Sequence, residues 1–239
     1  MNDPVALCAE ASAAWHSSWL TALGVPWERD PGVWRALAPP HFIYFAAITL
    51  QPETPADAVI DAPGAICDNW QALDLEPLGY TVFRREPWFF RGAGPAPGEV
   101  PAELEIVRVR DQDEVAEFEL VSVRGFGHED ATIARGTMHP ASVLEDPAMA
   151  MFLGRVDGKP VAAAMGNVTD AAVGVFGVTT IASARGRGYA TALTRAAMLT
   201  ESGLPAVLAP SEEAQSMYLK LGFEPVGELT IWIREDRGL

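Results

Sequence analysis

The chain has 239 residues, of which 49% are hydrophobic and 21% are charged, an ordinary composition for a globular protein of one or two domains. It carries 17 basic residues against 32 acidic ones, so its formal net charge at pH 7 is −15. This acidity argues against nucleic acid or an anionic membrane as a partner, because both are bound mainly through basic patches. It is compatible with amine ligands, although solubility alone would explain it equally well.

The cysteines and histidines indicate neither a metal site nor a disulfide framework. Cys8 and Cys67 are the only cysteines, and the four histidines lack ligand spacing. No apolar run is long enough to span a bilayer, and no basic segment at the start of the chain suggests a leader. We therefore expect a soluble, cytoplasmic protein without a metal.

The first ninety residues alternate helical and extended patterns. Apolar residues recur every four positions over residues 4–23, which predicts a helix that ends at Gly24. After a proline-rich loop, a strand is predicted from His41 to Leu50, and a second helix from about residue 65 to residue 78. A strand-like run then extends to Phe90.

A glycine- and proline-rich segment at residues 92–98 predicts a linker. We place an N-terminal noncatalytic α/β domain at residues 1–92, the linker at 93–102, and a second domain at 103–239.

The second half predicts a mixed sheet. Two strands joined by Asp157-Gly158 form a hairpin, and a later strand, helix and strand form a βαβ unit. The other predicted elements are a strand at 103–109, helices at 111–124 and 140–146, a final helix from Ser211 to Leu221, and closing strands. The fold class is therefore α/β with a mixed sheet (α+β in character), and a smaller α/β domain precedes the larger one.

The segment from Arg185 to Ala190 predicts a phosphate-binding turn. An uncharged, β-branched strand precedes it, and an apolar helical pattern follows it. Its two glycines allow close approach of the backbone to a ligand, and the first N–H groups of the helix lack intrahelical partners. Such donors at the positive end of a helix favour a phosphate.

Two kinds of ligand use such a turn. A dinucleotide site requires a third glycine where Thr191 stands, and an acidic residue at the end of the next strand, which is absent. The alternative pattern, R/Q-x-x-G-x-G/A, is matched by Arg185, Gly188 and Ala190. It resembles the acyl-CoA loop of the GNAT superfamily of N-acetyltransferases.

The resemblance extends to the last predicted helix. This helix has Tyr218 near its end and Gly222-Phe223 as its exit, as in the family, although Ser211 stands where the family more often has Asn. The similarity covers roughly residues 103–236.

A related pattern also occurs in the first half. A predicted helix, a Gly-aromatic exit at Gly79-Tyr80 and a strand with Trp88 resemble Gly222-Phe223 and the strand with Trp232. Residues 1–92 are hypothesised to be a degenerate, partial copy of the same fold. Coincidence between two common helix endings is the alternative. This half lacks the R-x-x-G-x-G/A pattern and is not expected to bind CoA.

The resemblance implies an N-acetyltransferase that moves the acetyl group of acetyl-CoA to an amine of a small molecule or peptide. It implies that backbone groups of the turn hold the pyrophosphate and that the end of the preceding strand polarises the thioester carbonyl. Tyr218 is the candidate general acid, or else a core tyrosine. The cofactor-binding residues that the resemblance implies are Val178, Thr179, Thr180, Arg185, Gly186, Arg187, Gly188, Tyr189, Ala190, Thr191 and Ser211.

The base that deprotonates the amine is not identified. Many family members place a glutamate on the central strand, but residues 171–181 contain no titratable side chain. The acidic loop between His128 and His139 could attract an amine, or it could merely be solvated. A noncatalytic acyl-CoA-binding regulatory or scaffold protein is the alternative function. An NAD(P) dehydrogenase is disfavoured, and the acceptor, acyl chain length and oligomeric state stay open.

Overall fold

The computed structural model describes residues 3–234, which form four α-helices and eleven strands. The predicted fold class is confirmed: helices and a mixed sheet alternate along the chain. The helices are α1 (Pro4–Ala22), α2 (Gln112–Phe126), α3 (Tyr189–Met198) and α4 (Gln215–Lys220). The strands are β1 (Trp27–Asp30), β2 (Val33–Ala36), β3 (Ala47–Thr49), β4 (Ile66–Asp68), β5 (Thr81–Arg91), β6 (Glu105–Arg108), β7 (Met149–Val156), β8 (Lys159–Val168), β9 (Val173–Thr180), β10 (Ala206–Leu208) and β11 (Glu224–Ile233).

The chain divides into two compact units that are not continuous in sequence. Within the described residues, the first unit comprises 3–90, 207–215 and 224–234, and the second comprises 91–206 and 216–223. The division after Phe90 lies close to the predicted end of the N-terminal domain. The assignment of residues 224–234 differs from the sequence-based division, because β11 pairs along its length with β5 and also with β4. Residues 1, 2 and 235–239 of the predicted domains lie outside the described residues.

In the first unit, the strands follow the order β1, β2, β3, β4, β11, β5. Helix α1 begins with Pro4 in its first turn, and the Asp3 carboxylate accepts a hydrogen bond from the Val5 N–H at 3.0 Å. Its His16 side chain is buried among aromatic rings, and burial lowers the pKa of His16 to about 4. This unit also has a hydrophobic core away from α1, which includes Val33, Ala47, Ile66, Leu75 and Trp232.

The helix predicted for residues 65–78 is wrong. The structure has the short strand β4 there, then a loop, and a 3-10 turn at Glu76–Leu78. The Asp68 carboxylate accepts hydrogen bonds from the backbone N–H groups of Trp70 at 3.3 Å and Leu73 at 2.8 Å. Such side-chain acceptors offer the backbone an alternative to helical hydrogen bonds. The predicted strand from His41 to Leu50 is likewise shorter, since it begins only at Ala47.

In the second unit, β9, β8, β7 and β6 form consecutive antiparallel pairs. The predicted hairpin is confirmed: Asp157 and Gly158 have φ of +51° and +74°, which suit the tight turn between β7 and β8. Helix α2 packs at Thr179 of β9, and α3 packs at Gly166 of β8. Thr179 pairs with Ala163, three positions from Gly166, so the two helices cover opposite faces of the sheet.

The order of elements along the chain repeats. Each half has a long helix (α1 or α2), a hairpin pair of strands, and then three further strands. In each half the third strand pairs antiparallel with the second strand of the hairpin. This order supports the hypothesis that the first half is a degenerate copy of the second.

Candidate active site

The central strand β9 carries a bulge just before the residues assigned to the thioester. Ala163 of β8 pairs with Thr179, but Met165 pairs with Phe176, so β9 has one residue more than its partner. Gly177 occupies this bulge with φ of +60°, and a Cβ at this position would lie 2.5 Å from Met165 Cε. A bulge leaves backbone groups unpaired and redirects the residues that follow. The signal in the sequence was a glycine inside a strand pattern, which the sequence-based prediction did not use.

The side chains of the last three residues of β9 differ in burial, packing and hydrogen bonding. Val178 is half-buried, whereas the Thr179 side chain packs against Gly125 of α2, where a Cβ would lie 2.0 Å from the hydroxyl oxygen. The Thr180 hydroxyl is buried and has no hydrogen-bond partner among the described residues. A buried polar atom without a partner is costly unless a ligand or water completes it. The Thr179 side chain therefore has a packing role, and Thr180 leaves a polar atom available at the end of the strand.

The phosphate turn leaves the N-terminus of α3 open. Gly186 has φ of +76° and Gly188 has φ of +82°, a region that favours glycine. A Cβ on Gly186 would meet no heavy atom within 4 Å, and one on Gly188 would meet Pro101 Cγ at 3.7 Å. Helix α3 begins at Tyr189, and no side chain caps it. The backbone N–H groups of Tyr189, Ala190 and Thr191 precede the first intrahelical bond, from the Ala192 N–H to the Gly188 carbonyl.

Arg185 fixes the turn in place through backbone contacts. Its Nε donates to the Thr180 carbonyl at 3.1 Å, and its Nη2 donates to the Gly125 carbonyl at 2.7 Å. The guanidinium thereby ties the end of β9 to the end of α2. Its charge stays near the turn, but part of its hydrogen-bonding capacity is used by the protein.

Tyr189 contacts an acidic residue that the sequence did not single out. The Tyr189 side chain is buried, and its hydroxyl lies 2.9 Å from Glu103 Oε1. The pKa of Glu103 is lowered by a backbone hydrogen bond, by this hydroxyl and by the charge of Arg187. The tyrosine therefore donates to a carboxylate and anchors the first residue of α3. No motif marks this contact, because the two residues are 86 positions apart.

Tyr218 is buried on α4, with its ring edge-on to Phe223 at 5.8 Å between centroids. Burial raises the pKa of Tyr218 to about 12, with a smaller opposing effect from Thr194. The thiol of a leaving group has a pKa of about 8.5, so proton transfer is uphill by roughly 3.5 units, or about 5 kcal/mol. The phenol is a weaker acid here than an ordinary tyrosine.

Ser211 does not act as the predicted helix cap. It precedes a 3-10 turn at Glu212–Ala214, its side chain makes no cap hydrogen bond, and α4 begins only at Gln215. Ser211 belongs to the first compact unit, whereas Tyr218 and the phosphate turn belong to the second.

The polar loop after α2 is held by a buried carboxylate. Glu119 of α2 accepts hydrogen bonds from the backbone N–H groups of Gly136, Met138 and His139 at 2.8, 2.6 and 3.0 Å. The sequence showed Glu119 only as one acid among several in a predicted helix. Its three contacts shape the loop between His128 and His139 that we associated with the acceptor.

A second carboxylate joins this loop to the phosphate turn. Glu129 accepts a hydrogen bond from the Ser183 N–H at 3.1 Å and another from the Ser183 hydroxyl. One acid of the loop is therefore engaged by the protein, while His128 and Asp130 are exposed.

Two further features bear on other classes of function. Among the described residues, no group of three or more His, Cys, Asp or Glu side chains is arranged to hold a metal ion. None of the helices described is both long and apolar enough to cross a membrane.

Comparisons with known proteins agree with the geometry. The model of the acetyltransferase (GNAT) family matches residues 112–223. A GCN5-related N-acetyltransferase from Kribbella flavida superposes with a TM-score of 0.63 at 21% identity, covering 93% of this chain and 95% of that one. A GNAT-family protein from Novosphingobium aromaticivorans gives 0.60 at 19% identity, with coverages of 95% and 98%. A GCN5-related N-acetyltransferase-like protein from Streptococcus suis gives 0.52 at 16% identity, with coverages of 85% and 84%. A search of curated proteins found no match.

The fold of the chain is therefore that of these solved structures. Residues 112–223 match the model of the acetyltransferase (GNAT) family, and the resemblance stated from the sequence is confirmed.

Proposed function

We propose that the protein is an N-acetyltransferase that moves the acetyl group of acetyl-CoA to the amine of a small molecule or peptide. The observation that carries this proposal is the uncapped N-terminus of α3 behind Gly186 and Gly188, at the end of a bulged strand. Unpaired N–H groups at a helix N-terminus suit a pyrophosphate. The glycines leave room for it, because a Cβ on Gly186 would point into open space.

The reaction requires few groups from the protein. The neutral amine attacks the thioester carbonyl, a C–N bond forms, and the C–S bond breaks to release the CoA thiolate. The amine nitrogen loses a proton and the thiolate gains one. Unpaired backbone donors near the bulge of β9 would stabilise the oxyanion of the intermediate. Tyr218 is the proposed proton donor to the thiolate, and a CoA thiolate also leaves without one.

The two free cysteines fit a reducing compartment. Cys8 and Cys67 are both buried, and burial raises the pKa of both thiols. Burial of the neutral thiols makes them unreactive. The proposal therefore places the activity in the cytoplasm.

The first half is proposed to be noncatalytic. Its strand β3 corresponds to β9 in the order of elements, but no glycine turn follows Thr49. Instead, the buried Asn69 side chain donates to the Thr49 carbonyl at 2.7 Å and accepts from the Trp88 indole at 3.0 Å. The Thr49 carbonyl at the end of β3 and the Asn69 side chain beside it are therefore already engaged by the protein.

Thermal unfolding with added ligands tests the proposed donor. A ligand that binds the folded state at 100 times its Kd stabilises it by about 2.7 kcal/mol. We expect acetyl-CoA to raise the Tm, and NAD and ATP at the same concentration to leave it nearly unchanged. A larger shift with either nucleotide would overturn the assignment of acyl-CoA.

A noncatalytic acyl-CoA-binding protein is the second candidate. It is favoured by the absence of a titratable side chain in residues 171–181 and by the raised pKa of Tyr218. Thiol release from acetyl-CoA, measured against a panel of amines, separates the two candidates. Amine-dependent release supports the enzyme, and binding without any release supports the second candidate.

A further inference from the structure

A cavity lies between the tip of the β7–β8 hairpin and the phosphate turn. Its volume is about 220 Å³, and its walls include Asp157 and Lys159 from the hairpin, Arg187 and Tyr189 from the turn, and Ala184 just before the turn. Pockets for drug-sized ligands are larger, at about 300–1,000 Å³. The cavity therefore suits one group of a larger ligand that is bound mainly elsewhere.

Two cations line this cavity without a carboxylate partner. Lys159 is one of two lysines in the chain, and neither it nor Arg187 has a described carboxylate oxygen within 4.0 Å. The charge of Arg187 contributes to the lowered pKa of Glu103, but neither cation is held in a close ion pair by a described carboxylate. Their arrangement suits an anion.

The acids around the cavity are mostly engaged by donors. Glu103 receives the Tyr189 hydroxyl, and Glu129 receives the N–H and hydroxyl of Ser183. Arg155, on β7, contacts Glu117 and the Gly158 carbonyl. The Asp157 carboxylate also lines the cavity, and it is exposed. The negative charge of Asp157 repels an anion in the cavity, so removal of this charge should strengthen anion binding.

We propose that the 3′-phosphate of the acyl-CoA binds in this cavity, with Lys159 and Arg187 as its ligands. The inference rests on the proposed function, because it requires the pyrophosphate to lie on the phosphate turn. Arg187 and Tyr189 belong to both the turn and the cavity wall. The 3′-phosphate and the pyrophosphate are attached to the same ribose, so the 3′-phosphate is within reach of the same wall. A phosphate monoester carries close to two negative charges at neutral pH, which two cations match.

The experiment compares acetyl-CoA with acetyl-3′-dephospho-CoA by isothermal titration calorimetry at one ionic strength. The wild type is expected to bind acetyl-CoA about 3- to 10-fold more tightly, the range of a partly exposed charge-assisted contact. Lys159→Gln is expected to lose most of this preference by weakening acetyl-CoA alone. Lys220→Gln changes the other lysine of the chain and should keep the preference.

Asp157→Asn is expected to increase the preference for acetyl-CoA, whereas Lys159→Gln decreases it. Asn tolerates the left-handed conformation of Asp157, so the hairpin turn is retained while the repulsion is removed. We expect the preference for acetyl-CoA to rise about 2- to 3-fold. An effect of Asp157→Asn on both donors alike would contradict a local contact with the 3′-phosphate.

Three further outcomes would overturn the inference. The wild type could bind the two donors equally, or Lys159→Gln could weaken both of them to the same extent. Failure of the wild type to bind either donor would overturn the proposed function and this inference together. That last result is distinct from the first two, in which donor binding persists.

Discussion

At the scale of single residues, burial determines what Tyr218 can contribute. Its side chain is buried in the second unit, and burial raises its pKa to about 12. An acid this weak donates a proton to a thiolate only late in the breaking of the C–S bond. The side chain is therefore expected to assist the reaction modestly rather than to be essential for it.

Tyr218→Phe tests this contribution. The substitution keeps the ring and its contact with Phe223 and removes only the hydroxyl. General acid catalysis contributes about 10²–10⁴-fold to the rate in favourable cases. For this weak acid we expect the variant to lose about 10-fold in kcat, with little change in KM for acetyl-CoA. Steady-state thiol release, under conditions in which chemistry limits the rate, measures the effect.

Tyr80→Phe is the matched control for this variant. The Tyr80 hydroxyl donates to the Ile60 carbonyl in the first unit, so its loss should leave kcat unchanged. Equal kcat values for wild type and Tyr218→Phe would identify Tyr218 as a packing residue.

The same tyrosine predicts a dependence of stability on pH. An unfolded tyrosine has a pKa of about 10, so the folded state holds this proton more tightly. The stabilisation is complete below pH 10 and is lost as the pH rises towards 12. Between pH 8 and pH 11, the free energy of unfolding should fall by about 1.4 kcal/mol more in the wild type than in Tyr218→Phe. Urea unfolding at both pH values measures the difference, and parallel losses would mean that the phenol is not held in an apolar site.

The sequence identified residue types at the site better than their contacts. The glycines of the phosphate turn lie where the motif placed them, at the N-terminus of α3. The two carbonyls bound by Arg185 could not be foreseen, because one of them, Gly125, lies 60 positions away and contributes only its backbone. Glu103 and Glu119 were missed for the same reason: their partners are a distant hydroxyl and backbone N–H groups that no motif records.

At the scale of elements, the phosphate turn depends on two left-handed glycines. Gly188 immediately precedes α3, and its φ of +82° is unfavourable for other residues by about 1–2 kcal/mol. Its position beside the first free N–H groups of the helix makes added bulk and negative charge there incompatible with a bound phosphate.

Gly188→Glu is expected to abolish detectable binding of acetyl-CoA, measured by calorimetry, while the protein stays folded. The control is Gly24→Glu, because Gly24 follows α1, has φ of +70° and would place its Cβ in open space. It adds the same strain and the same charge far along the chain from the turn. Unchanged affinity in a folded Gly188→Glu variant would give the turn a purely structural role.

Elements with strong periodicity or turn chemistry were predicted well, and short buried strands were not. Helix α1 and the Asp157-Gly158 hairpin match their predictions closely. The predicted helix at 65–78 failed because tertiary contacts decide that segment: Asp68 and Asn69 bind backbone groups instead of allowing helical bonds. The bulge at Gly177 was missed because one glycine in a strand does not reveal register.

At the scale of the whole molecule, the linear division of the sequence differs from the spatial one. Strand β11 lies at the end of the chain, yet it pairs with β4 and β5 of the first half. Strand pairing depends on long-range contacts that local composition cannot report, so the sequence could place a boundary near Phe90 but could not assign the last strand.

The glycine- and proline-rich linker gives the last prediction. Arg91 donates hydrogen bonds to the carbonyls of Gly92 at 3.1 Å, Gly94 at 3.2 Å and Pro95, so one side chain restrains much of this segment. The segment has no regular secondary structure and is largely exposed, which favours proteolysis. We expect elastase to cut first between residues 92 and 100, and Arg91→Gln to speed this cut about 5-fold by releasing the restraint. Arg84→Gln, which alters an exposed arginine paired with Glu86, should leave the rate unchanged. Mass spectrometry of the early fragments locates the first cut. A first cut inside residues 103–206, or equal cutting rates for the two variants, would contradict the prediction that the linker is the most accessible site for proteolysis.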